Sequence, residues 1–262
     1  MKKICMTLLL TGLSLFLCSC SDVMITGRQR VNFIPDSEIN QMATDSYNQF
    51  LTENKAKLNT DKAKTELVRG VGVRIQKAVE DYMAQQGTSD ELNGYDWQFN
   101  VIDSEEVNAW AMPGGKVVVY TGILPYTQDE DGLAVVMAHE IAHVIAKHGA
   151  EQMSQDLLIN AGGAAVQKST GSDVFLKAYS IGSTYGVKLP YSRTHEYEAD
   201  HLGLIFMAMA GYDPYQAPIF WKRMSQSGGA AGTPEFMSTH PSDENRIAKL
   251  NALMPEVGKY KK

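Results

Sequence analysis

The chain has 262 residues, enough for one catalytic-sized domain with a proper buried core. Its 24 basic and 30 acidic side chains leave a net charge of -6 with no basic block or stripe, which argues against nucleic acid as a partner. Cys5, Cys18 and Cys20 are its only cysteines, so beyond residue 20 the fold has neither a disulfide nor a cysteine metal ligand.

Lys2 and Lys3 precede a mostly apolar run from Met6 to Leu17. The run is too short for a stable membrane span and reads as a lipoprotein export signal over 1–19. Leu17-Cys18-Ser19-Cys20 resembles a bacterial lipobox, with small Ser19 before Cys20 as the expected lipid-bearing residue. Ser21 after it points to the outer membrane, with the domain facing the periplasm. Residues 20–34 are polar and without periodicity and read as a lipidated tether, leaving 35–262 as the folded domain. Helices are expected from Pro35 to about Asn54 and from Lys62 to Gln86, where Val68, Val71, Ile75 and Val79 recur at helical spacing and Gly87 ends the run. Gly70 and Gly72 weaken the second helix. Trp97, Phe99 and Val101 alternate with polar residues as in a strand. Asn108 to Met112 is extended, Pro113-Gly114-Gly115 is a turn, and Lys116 to Thr121 is a β-branched strand. From there the pattern is helical almost to the end; residues 161–186, rich in Gly, Ala and Ser, read as packed helices rather than a span.

The centre of the chain is His139-Glu140-Ile141-Ala142-His143. Two histidines four apart on a helix lie about 40° apart around its axis, so both rings reach one ion, and the adjacent glutamate holds water rather than metal. Chance produces the pattern about once in a hundred chains of this composition, so the context decides. An acidic start at Asp129, an apolar face of Leu133, Met137, Ile141, Val144 and Ile145, and Gly149 at the end make a central helix. Catalytic zinc needs a third protein ligand and an open fourth position. Glu196 and Asp200, four apart on a later helix, share a face. One can bind the metal while the other orients a ligand histidine from behind. Glu198 points about 160° away from Asp200. His148 reads as a helix-end cation, His201 as a surface residue, and His195 as a neighbour without a role.

The HExxH helix followed by Glu196-Tyr197-Glu198-Ala199-Asp200 resembles the M48 peptidases, the group with Ste24-like, HtpX-like and Oma1-like enzymes. Asn108-Ala109-Trp110-Ala111-Met112-Pro113-Gly114-Gly115 and Thr239-His240-Pro241 with Arg246 are similar to two further signatures of that family, so the resemblance covers roughly 65 to 255. It implies an α+β fold: a mostly helical zincin-like (gluzincin) domain with a small β-sheet packed on the HExxH helix. It also implies one zinc per chain on His139, His143 and Glu196, with Glu140 as the base and Asp200 behind the ligands. His240 and Arg246 are the implied oxyanion donors, and His240 is in addition a movable fourth ligand. Pro241 keeps His240 on a loop ahead of a helix opened by Ser242, Asp243 and Glu244. An extended substrate is expected to add a strand beside Asn108, Ala109, Trp110, Ala111 and Met112, reading side chains loosely. The expected activity is zinc-dependent endopeptidase action on unfolded or misassembled cell-envelope proteins. The alternative is a chaperone or assembly factor for outer-membrane proteins that cuts little. The expected partners are those clients, the membrane through a lipid on Cys20, and outer-membrane assembly machinery, with no nucleic acid.

Overall fold

The computed structural model describes residues 20–184, 188–227, 234–240 and 244–261. The export signal expected over 1–19, and the Pro241, Ser242 and Asp243 expected to open the last helix, lie outside the described residues.

The chain enters through a small hairpin, β1 (Cys20–Asp22) against β2 (Gln29–Val31), antiparallel with Cys20 opposite Val31. This corrects the free tether expected over 20–34. Val23 is fully buried in the main core, with Met24 and Ile25 packed against that core. Arg30 is 2% exposed and donates to the Ala146 carbonyl at 2.8 Å. Three apolar residues in a row are too few to show a period, yet burying them is worth several kcal/mol, about 1.5–3 for each large side chain.

The helices α1 (Asp36–Glu53) and α2 (Lys62–Gln86) fall where the periodicity predicts. Asp61 caps α2 by accepting from the Lys64 amide at 3.1 Å, and Gly87 ends it at φ 70°. Gly72 is tolerated because the Phe99 ring fills the space a Cβ would take. The sheet that follows has the order β3 (Gln98–Ile102), β5 (Lys116–Tyr120), β4 (Ala109–Met112). β3 and β5 are parallel, β5 and β4 antiparallel, so β4 is an edge strand. Side chains alternate between its faces. Phe99, Val101, Val117, Val119 and Ala109 enter the main core, while Ile102, Val118 and Trp110 pack with Tyr47 and Phe50 of α1.

After a short α3 (Leu124–Thr127) comes the metal-motif helix α4 (Glu130–Ile145). Asp129 caps it by accepting from the Gly132 amide at 2.8 Å. From Gly132 to Ile145 every residue but His143 is buried, so the helix is central on all sides. Its expected end at Gly149 is corrected: Lys147 adopts φ 58°, and α5 (His148–Thr170) begins at once with Gly149 inside it. The left-handed Lys147 turns the chain so that His148 points back at α4. α5 and α6 (Asp173–Ser183) form a hairpin in which Tyr179 donates to the Ile159 carbonyl at 3.1 Å. Their outer surface leaves Leu157, Val174, Phe175 and Ile181 exposed. Among the described residues no helix is long and apolar enough to cross a membrane. α7 (Leu189–Met209) crosses α4 at close range, and α8 (Gln216–Gln226), α9 (Glu235–Thr239) and α10 (Glu244–Val257) complete the core. The architecture is α+β and mostly helical, as expected.

Candidate metal centre

α4 supplies His139 and His143 on one face, and α7 supplies Glu196 opposite them. The helices meet closely because residue 203 is glycine. A Cβ there would lie 3.2 Å from the His139 backbone nitrogen and 3.3 Å from its Cα. His240 arrives at the C-terminal end of α9, carried by the stacked rings of Phe236 and Trp221, 5.6 Å apart and 11° from parallel.

Four ligand atoms converge, one each from His139, His143, Glu196 and His240, all within 4.8 Å of one another. His139 Nε2 lies 3.1 Å from His143 Nε2, 3.2 Å from His240 Nδ1 and 3.4 Å from Glu196 Oε2. Glu196 Oε1 lies 3.2 Å from His143 Nε2 and 3.1 Å from His240 Nδ1. Ligands about 2.05 Å from a tetrahedral zinc are separated by about 3.3 Å, so these spacings fit that ion. Three imidazole nitrogens and a carboxylate turned toward one point are acceptors in need of a cation. Burial pushes Glu196 up, but the imidazoles of His139, His143 and His240 around it outweigh this and hold the carboxyl well below the usual range. Burial also holds His143 neutral, down to about 4, the form that ligates.

Glu140 lies beside this set, 5% exposed. Its Oε1 is buried and accepts no hydrogen bond, although His240 Nε2 is 3.3 Å away. Burial raises its pKa above that of a free glutamate. An orphaned, basic oxygen next to a metal set is suited to holding and deprotonating water. The cleft in front, about 430 Å³, is lined by His143, Glu196 and His240 on one side and by Ala111, Pro113 and Tyr95 on the other. β4, which contains Ala109, Trp110, Ala111 and Met112, is the sheet edge bordering it, with Asn108 just before it.

Asp200 stands where expected, its Oδ1 3.1 Å from His139 Nδ1. Arg246 requires a correction. It is 2% exposed and gives two 2.8 Å hydrogen bonds to Asp200, with Nη1 3.1 Å from Glu196 Oε2 and its guanidinium 3.4 Å above Trp221. It stands behind the ligands, away from the cleft, and is a positioning residue rather than an oxyanion donor.

Two histidines read as incidental are part of the site. His148 is 3% exposed, its Nδ1 2.8 Å from His143 Nδ1 and its Nε2 3.1 Å from Glu198 Oε2. His195 stacks on it at 4.2 Å and pairs with Glu151 at 2.9 Å. Burial lowers the pKa of His148 to about 3, so it is no helix-end cation. The chain reversal at Lys147 hides this from helical spacing; only the unusual density of five histidines and glutamates between 139 and 151 signals it. His201, expected at the surface, is half-buried and lies 3.0 Å from Glu256.

The sequence profile of Peptidase family M48 matches residues 73–254. The mitochondrial metalloendopeptidase OMA1 of Schizosaccharomyces pombe is 34% identical over 245 residues, 90% of this chain and 66% of that protein. The mitochondrial metalloendopeptidase OMA1 of Homo sapiens is 28% identical over 249 residues, 90% of this chain and 46% of that protein. The beta-barrel assembly-enhancing protease of Escherichia coli K12 is 29% identical over 174 residues, 62% of this chain and 36% of that protein. The chain thus spans between about a third and two thirds of the length of these curated relatives.

Proposed function

The chain belongs to peptidase family M48, and from that premise we propose that it is a zinc-dependent endopeptidase acting on unfolded or misassembled cell-envelope proteins. The observation that carries the proposal is the convergence of His139, His143 and Glu196 beside the orphaned Glu140 oxygen. These three residues would hold a zinc ion, which would supply Lewis acidity and activate a water. Glu140 takes the proton released in the attack and passes it to the leaving amine, a transfer favoured by its raised pKa. An extended peptide lies along β4, its backbone paired with the free edge, and the scissile carbonyl faces the ligands. Pairing of this kind reads few side chains, which suits unfolded clients. Export and a lipid on Cys20 belong to the same proposal and rest on residues 1–20 of the sequence.

A second reading is favoured by His240, which stands within the ligand set. With four protein ligands in place the centre is closed, and a closed centre binds clients without cutting them. This is the assembly-factor reading; the name of the Escherichia coli relative, an assembly-enhancing protease, supports its assembly half only. The deciding experiment is casein hydrolysis by Glu140→Gln, a change expected to leave zinc content intact and reduce turnover by at least a thousandfold. Turnover equal to wild type rejects the mechanism; client binding that survives the change supports the second reading.

A further inference from the structure

Each ligand ring of α4 is braced from behind. For His139 the brace is Asp200, held by Arg246. For His143 it runs through His148 to Glu198, and Glu198 is held from an unexpected place, the turn of the N-terminal hairpin. Arg28 Nε and Nη2 donate to Glu198 at 2.9 Å each, and Thr26 Oγ1 adds a bond of 2.6 Å. The same guanidinium donates twice to Glu151 at 2.7 Å. Glu151 in turn holds His195, the ring stacked on His148.

We propose that Arg28 is a positioning residue of the metal centre: by bridging Glu198 and Glu151 it fixes, through His148, the ring and tautomer of His143. The proposal rests on the reading of His143 as a metal ligand.

The hydrogen positions follow by elimination. His143 Nε2 faces the other ligands and carries the lone pair, so its hydrogen is on Nδ1 and is donated to His148 Nδ1. His148 must then carry its own hydrogen on Nε2 and donate it to Glu198 Oε2. The Glu198 side chain is 2% exposed and that of Glu151 is 0% exposed, and two buried carboxylates side by side need a cation between them. Without Arg28, Glu198 and Glu151 lose the four guanidinium bonds that hold them in place, and His148 Nε2 loses the fixed acceptor that orients its ring against His143. A planar guanidinium can face two carboxylates at once with paired bonds; an ammonium is a single point and cannot.

The test is zinc affinity, by chelator competition on the full chain with its N-terminal segment intact. Arg28→Gln is expected to weaken zinc binding by about 10–100-fold, the usual size of a loss behind a ligand histidine. Arg28→Lys should fall between it and wild type, and both should alter the visible absorption of the cobalt-substituted protein. In a His148→Phe background, Arg28→Gln should cost less than threefold, since the link is already cut. Zinc affinity within twofold of wild type for folded Arg28→Gln, with only a lower Tm, overturns the proposal and leaves a structural clamp. If Arg28→Gln does not fold, Arg28→Lys decides by the same criterion: unchanged affinity overturns, at least fivefold weakening supports. A wild-type chain that binds no zinc overturns the metal-centre reading itself; wild-type binding unaffected by the substitutions overturns the role of Arg28 alone.

Discussion

At the scale of single residues, the side chains around the centre divide by what they face. His240 faces the ligands from α9, the short helix that ends beside them, whereas His139, His143 and Glu196 are held in long buried helices. His240→Ala leaves three protein ligands, so zinc should be retained. Turnover of casein should rise tenfold or more as the fourth position opens, about 1.4 kcal/mol of barrier. A fall in turnover would instead assign His240 to oxyanion stabilisation. Arg246 faces Asp200 and Glu196. Its removal takes away the two guanidinium bonds that hold buried Asp200 against His139, so Arg246→Gln should weaken zinc binding about 10–100-fold. The kcat of the zinc-saturated protein should change less than tenfold; a larger loss in kcat with unchanged affinity would restore Arg246 to the cleft.

At the scale of elements, the centre depends on how closely α7 approaches α4. A Cβ at residue 203 would press on the backbone of α4, which cannot give way as a flexible side chain would. Gly203→Val should therefore push Glu196 outward and reduce zinc affinity at least tenfold; a zinc-replete variant with wild-type affinity would show that the spacing tolerates bulk. The same burial sets a pH dependence. Burial lowers His143 to about 4 and His148 to about 3, while unfolded imidazoles titrate near ~6.5. The unfolded chain thus binds more protons between these values, and stability falls as pH drops from about 6.5 toward 4. His139 has the opposite sign. Burial lowers its pKa, but Asp200 and Glu196 outweigh that and raise it to about 9, so its contribution is full below ~6.5 and lost as pH rises through 9. Thermal unfolding in chelator should show maximal Tm near pH 6.5, declining on both sides; a Tm constant from pH 7 to 4.5 contradicts the assignment of neutral buried rings.

At the scale of the whole molecule, the N-terminal hairpin joins the proposed anchor directly to the domain. β1 starts at Cys20, and Val23 is already in the core. A lipid on Cys20 would hold the domain against the membrane with almost no slack. Cys20→Ala should release a soluble, zinc-binding protein or block signal processing, read by fractionation and by incorporation of labelled fatty acid. Wild-type protein that takes up no fatty acid rejects the anchor.

Much of the site was legible in the sequence because it depends on short spacings within single elements. The i, i+4 pairs His139/His143 and Glu196/Asp200, the cap at Asp129 and the α2 period all express local geometry, which holds wherever the helix lies. The alternation from Trp97 to Thr121 likewise marked the strands. What the sequence could not decide is which elements meet. Arg28 lies 123 residues from Glu151 and 170 from Glu198, and no period links them. The role of His148 depends on the left-handed turn at Lys147, a conformation no spacing rule predicts for lysine. The direction in which Arg246 points was set by packing over Trp221 and against Asp200. Local periodicity fixes the faces of an element; the burial of charge against charge between distant elements is decided only when the core closes, because only there does desolvation demand a partner.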